Sequence, residues 1–118
     1  MDKIFINGLK AQSLIGCYDW ERKARQPIFI DVELTGDWRL AAKTDNLKDA
    51  LDYAAIAKRL VELCEKGRFQ LLEALAEFLS DSLLEEYPIL GLRLRIVKRS
   101  AVADADDVGI IVERGAGQ

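Results

Sequence analysis

Four residues of this chain have types and settings suited to proton transfer or ring binding. Lys98 lies near the end of GLRLRIVKRSAV, where Leu92, Leu94 and Ile96 alternate with Arg93 and Arg95. Strand side chains repeat every two residues, so Lys98 falls in register with the apolar face. An amine aimed into low-dielectric surroundings has a depressed pKa and acts as a base. Glu21 closes IGCYDWE. Held beside Tyr18 and Trp20, its carboxylate is expected to be partly desolvated, with a raised pKa. Tyr53 opens a helical segment in LDYAAI, and its phenol can anchor a ring or pass a proton. Glu73, in FQLLEALAE, sits in the first turn of a second helix, where the helix dipole favours an ionised carboxylate. Such a carboxylate accepts the paired N–H edge of a guanidine-like heterocycle. The unpartnered backbone N–H groups of that turn can receive a ring oxygen. Each residue also has a plainer reading. A strand-end lysine snorkels to water, a loop glutamate is solvated, a tyrosine half-buries at a helix start, and acidic residues favour helix N-termini.

Composition removes most competing chemistries. The chain has no histidine, so a Ser-His-Asp or Cys-His apparatus is impossible. A catalytic zinc site normally uses imidazole, and two scattered cysteines do not replace it. Cys17 and Cys64 lie in apolar surroundings and read as small buried hydrophobes of a reducing compartment. Acid–base work therefore falls to Lys, Tyr, Glu or Asp. A net charge of −3 disfavours nucleic acid and anionic membrane as partners, despite the local cluster Arg93, Arg95, Lys98 and Arg99. No stretch approaches the roughly 20 apolar residues of a membrane span. MDKIFING has no long apolar signal region, so a cytoplasmic location is expected.

The elements that position these residues follow from periodicity. With 118 residues, one domain over 1–118 is expected. A first strand spans about 3–16, with a bulge or bend at Gly8. A second covers 28–34, where Ile28, Ile30, Val32 and Leu34 alternate with acidic residues. After a long connection over 37–50, Asp52 caps a helix at about 53–66 that Gly67 terminates. A second helix at about 71–86 carries the apolar stripe Leu72, Leu75, Ala76, Leu79 and Leu83. Strands follow at about 92–98 and 108–114. The order β-β-α-α-β-β predicts an α+β fold: a four-stranded antiparallel sheet with two helices on one face. Its two open edges invite pairing with another subunit.

Taken together, IGCYDWE, ALDYAAIA, GRFQLLEALAE and the Lys98 strand leading to VGIIVERG resemble the dihydroneopterin aldolase family, over residues 1 to 115. The resemblance implies the T-fold, assembling into oligomeric β-barrel rings. It implies a homo-octamer of two stacked tetrameric rings, with sites between subunits. The implied reaction is retro-aldol cleavage of 7,8-dihydroneopterin, giving 6-hydroxymethyl-7,8-dihydropterin and glycolaldehyde in folate biosynthesis, and the overlapping enamine steps admit 2'-epimerase activity beside it. No cofactor, metal or Schiff base is implied. Lys98 takes the part of general acid/base. Glu73 holds the pterin, with a backbone contact from Leu72. Tyr53, from a neighbouring subunit, helps move the proton at the side-chain carbon, and Glu21 lies near the hydroxylated side chain. One departure stands out: Arg99-Ser100 replaces the family's usual proline turn. A cation beside the amine would bind phosphate, so the resemblance also admits a dihydroneopterin triphosphate 2'-epimerase. The altered turn equally admits a non-catalytic pterin-binding protein.

Overall fold

In the computed structural model of the chain, the described residues are 1–99 and 101–115. Ser100 of the expected Arg99-Ser100 turn lies outside them. The chain runs β1 (Asp2–Ile15), β2 (Gln26–Gly36), α1 (Arg39–Thr44), α2 (Tyr53–Lys66), β3 (Arg68–Phe69), α3 (Leu72–Glu86), β4 (Gly91–Arg99) and β5 (Asp107–Gly115). Short 3-10 turns cover Asp19–Arg22 and Leu47–Asp49.

The sheet has five strands in the order β3-β1-β2-β4-β5, not the four expected. The added strand β3 is two residues long and pairs in parallel with Leu14 and Ile15, so the sheet is mixed rather than antiparallel throughout. A two-residue strand carries no alternation to detect. Helix α1 was likewise unforeseen. It buries no residue, so it lacks the apolar stripe by which a helix is recognised.

The β1–β2 hairpin is offset by one residue where Ile6 pairs with Val32 but Leu9 pairs with Ile30. This bulge is where Gly8 takes φ +70°, and its N–H donates to Asp31 Oδ1 at 2.6 Å. Asp52 caps α2 by accepting from the Ala55 N–H at 3.0 Å. Gly67 ends it, its own N–H donating to the Leu63 carbonyl at 2.9 Å.

One face of the sheet and one stripe of each long helix make the core. Ile28, Ile30, Val32 and Leu34 of β2 and Leu94 and Ile96 of β4 meet Ile56, Leu60 and Cys64 of α2 and Leu75, Leu79 and Leu83 of α3, all at 0–1% exposure. Fully burying each large apolar side chain contributes about 1.5–3 kcal/mol, so this layer dominates stability. The two helices run antiparallel: Arg59 of α2 pairs with Glu86 at the end of α3, 2.8 Å apart.

The other sheet face is a charge mosaic. Glu33 takes Lys3 at 3.5 Å and Arg93 at 3.8 Å, Arg93 reaches Glu113 at 3.6 Å, and Arg95 pairs with Asp31 at 3.2 Å. Exposed pairs of this kind contribute at most about 1 kcal/mol each. The basic cluster of the sequence is thus divided between two faces, with an acidic or aromatic partner for each cation.

Candidate active site

The strands set a buried ion pair at one end of the helix-covered face. Strand alternation turns Lys98 inward with Leu94 and Ile96. The 3-10 turn Asp19–Arg22 swings Glu21 to meet it, 77 residues away in sequence. Lys98 Nζ donates to Glu21 Oε2 at 2.7 Å, with the side chains 14% and 6% exposed. Gln26 Nε2 donates to the same oxygen at 3.1 Å and to the Ile15 carbonyl at 2.7 Å. The Tyr18 N–H donates to Glu21 Oε1 at 3.3 Å. The amine is therefore not set in apolar surroundings alone; it is paired with a carboxylate.

Glu21 corrects the sequence reading in two ways. Tyr18 and Trp20 do not shelter it: both are 68% exposed, whereas Glu21 is buried. Its pKa also moves the other way. Burial pushes it up, but hydrogen bonds from Lys98, Gln26 and the Tyr18 N–H outweigh that, with the lysine's charge adding to them, and hold it below 4.5.

Gly16 makes room for this carboxylate. Its φ is +114°, and a Cβ there would collide with the carboxyl carbon and both oxygens of Glu21. The Gly16 N–H donates to the Gln70 carbonyl at 3.0 Å. Arg22 Nη1 donates to the Phe69 carbonyl at 2.8 Å and the Gly16 carbonyl at 3.3 Å. With β3 pairing beside them, these bonds fix the start of α3 next to the Glu21–Lys98 pair.

That helix start is open. Its N-cap, Leu71, offers no side-chain acceptor to the first-turn N–H groups. Leu72 is half-buried there, and Glu73 is exposed, with no ion pair to any described residue. A free carboxylate and unpartnered N–H groups side by side suit a flat ligand presenting both donors and an acceptor.

Tyr53 lies elsewhere. It opens α2, whose opposite end leads into β3 at the site. Fourteen residues of helix put it about 20 Å away, near the end of α3, and it is 61% exposed. One protomer therefore brings together Lys98, Glu21, Leu72 and Glu73, but not Tyr53.

Arg99 also departs from expectation. Its guanidinium stacks 3.7 Å over the Phe29 ring, on the charge-mosaic face. Strand alternation thus separates it from the amine it follows. Cys17 is exposed, not buried, and its thiol faces the Gln70 carbonyl at 3.9 Å. Cys64 is buried as expected, and burial pushes its thiol up to about 12.

Comparison with known proteins bears on this arrangement. The family model of dihydroneopterin aldolase matches residues 4–113. The chain belongs to the dihydroneopterin aldolase family. It is 42% identical to the dihydroneopterin aldolase of Escherichia coli K12 over 115 residues, covering 98% of this chain and 94% of that one. Against the Haemophilus influenzae dihydroneopterin aldolase the identity is 36%, covering 98% of each. The crystal structure of the Escherichia coli dihydroneopterin aldolase in complex with neopterin superposes with a TM-score of 0.93, covering 98% of this chain and all of the other. Membership accounts for the elements that the sequence pattern alone left unassigned, since the five-stranded sheet with three helices is shared with that structure. Sequence reasoning missed Gly16, Arg22 and Gln26. Gly16 had a weak signal, as a glycine closing the expected first strand. Arg22 and Gln26 had none, because the groups they bind are set only by the folded chain.

Proposed function

We propose that the Lys98–Glu21 pair and the open turn of α3 form the active site of a dihydroneopterin aldolase, a lyase, within a single domain over 1–118. The observation that carries this reading is the buried pair lying beside that turn, in a chain of this family. Glu73 accepts the amino and ring N–H donors of the pterin, and the backbone at Leu72 binds a ring acceptor. Lys98, acting as the neutral amine, takes the proton of the 2'-hydroxyl as the adjacent C–C bond breaks and becomes the ammonium. The bonding electrons enter the ring to give an enamine, and glycolaldehyde departs. A proton then returns to the carbon, leaving 6-hydroxymethyl-7,8-dihydropterin. Glu21 orients the amine, and near the substrate's hydroxylated side chain it keeps that proton route short. The sequence supplies no imidazole, and this route uses neither metal nor Schiff base.

Tyr53 serves the site of an adjoining copy, because it opens α2 at the end of that helix remote from its own protomer's site, about 20 Å along the helix axis. Tetrameric rings closing the sheet edges, two of them stacked as an octamer, supply that neighbour. The test is turnover of 7,8-dihydroneopterin with glycolaldehyde release. Lys98→Ala is expected to abolish it while the assembly stays folded. Wild-type rates in that variant would overturn the mechanism, and isomerisation without cleavage would favour an epimerase.

A further inference from the structure

Gln26 has no place in the reading above, yet it touches the carboxylate at the centre of it. Strand alternation turns it to the same face as Ile28 and Ile30. Across β1–β2 it faces Ser13, a small and fully buried residue, which leaves its amide room to span two partners. Both partners are acceptors: the Ile15 carbonyl at 2.7 Å and Glu21 Oε2 at 3.1 Å. Two acceptors on one atom require nitrogen, so the orientation of the amide is fixed by chemistry.

Glu21 Oε2 thereby receives two donors of different kinds. Lys98 can give up or take a proton, whereas an amide does neither. Ile15 ends β1, so the amide ties this oxygen to the rigid sheet rather than to the short turn that carries Glu21. Without that tie, the carboxylate would be held by the lysine amine and by one backbone N–H at 3.3 Å.

We infer that Gln26 is a positioning residue of the aldolase reaction, a fixed neutral donor that anchors Glu21 so that Glu21 in turn aims the Lys98 amine. The inference rests on the active-site reading proposed above. It predicts an effect on the chemical step and little on pterin binding, since Glu73 and the α3 turn lie outside the Gln26 contacts.

Two variants test it, with 7,8-dihydroneopterin as substrate and kcat and KM followed across pH. Gln26→Met keeps the bulk and removes the donor. Losing one hydrogen bond to a charged group lowers kcat roughly tenfold, with KM within about twofold. Losing a donor that favours the ionised form raises the pKa of Glu21, so the acid limb of kcat moves to higher pH. Gln26→Glu keeps the shape and sets a second carboxylate against Glu21. Its kcat is expected to rise as pH falls and the introduced carboxylate takes up a proton, because the neutral acid can again donate. A residue that merely fills space would not reverse the slope. Unchanged kcat and acid limb in Gln26→Met, or the same slope as wild type in Gln26→Glu, overturns the inference. If Gln26→Met does not fold, the slope of Gln26→Glu decides. Lys98→Ala separates the two levels. If it retains turnover, the active-site reading falls; if it is inactive while both Gln26 variants behave as wild type, only the role of Gln26 falls.

Discussion

Replacing Gly16 by alanine should damage this protein out of proportion to one methyl group. The backbone there has φ +114°, which an L side chain adopts at a cost of about 1–3 kcal/mol. The larger effect is collision. The new Cβ would occupy the space of the Glu21 carboxyl group, and Glu21 must leave. Its departure strips Lys98 of a partner in a pocket where the two side chains are 14% and 6% exposed. Breaking a buried pair costs about 3–5 kcal/mol. The lysine's long stem lets its head swing toward water, which favours the lower end. The two contributions come to about 4–6 kcal/mol, against a typical total stability of about 5–15 kcal/mol. Gly8→Ala is the control. Gly8 also has positive φ, at +70°, but a Cβ there meets nothing within 4 Å, so the variant carries backbone strain alone, about 1–2 kcal/mol. The assay is urea unfolding at one fixed protein concentration, with turnover measured alongside. With a slope of about 2 kcal/mol per molar, Gly16→Ala should lower the midpoint by about 2–3 M and abolish cleavage. Gly8→Ala should lower it by about 0.5–1 M and leave cleavage intact. Equal shifts in the two variants, or an active Gly16→Ala enzyme, would refute the collision argument.

Two further outcomes are expected. Glu73→Ala should weaken pterin binding on the order of 100-fold by titration calorimetry, because a charge-assisted paired acceptor is lost, while the unfolding midpoint stays near wild type. Mixing Lys98→Ala with Tyr53→Ala subunits, after dissociation and reassembly, should restore roughly a quarter of wild-type activity, since random pairing rebuilds that share of sites with both residues when each site spans two copies. Activity that stays at the level of the separate variants would place Tyr53 outside the site.

What the sequence made legible was whatever repeats or punctuates locally. The alternation in β2, the Asp52 cap, the Gly67 stop and the Gly8 bulge are readable because each is set by residues a few positions apart. The strand β3 is too short to alternate, and α1 has no buried stripe. The site was legible as a set of residues and not as a geometry. Glu21 looked like a carboxylate sheltered by Tyr18 and Trp20. Those rings face solvent instead, and its shelter comes from Lys98 and Gln26, brought in by strand register. Arg99 looked like a neighbour of the amine, but one step along a strand is a change of face.

The pairing of Glu21 with Lys98 across 77 residues also bears on when activity can appear as the chain folds. The β1–β2 hairpin closes a local loop, and the two long helices are neighbours in sequence. Lys98 reaches Glu21 only once β4 has docked against β2 across both helices. Contacts of such long sequence separation form late, because the loop they close must first lose its freedom. During refolding, recovery of turnover should therefore lag recovery of helical signal, because it needs both the docking of β4 on β2 and the assembly that brings in a neighbour's Tyr53.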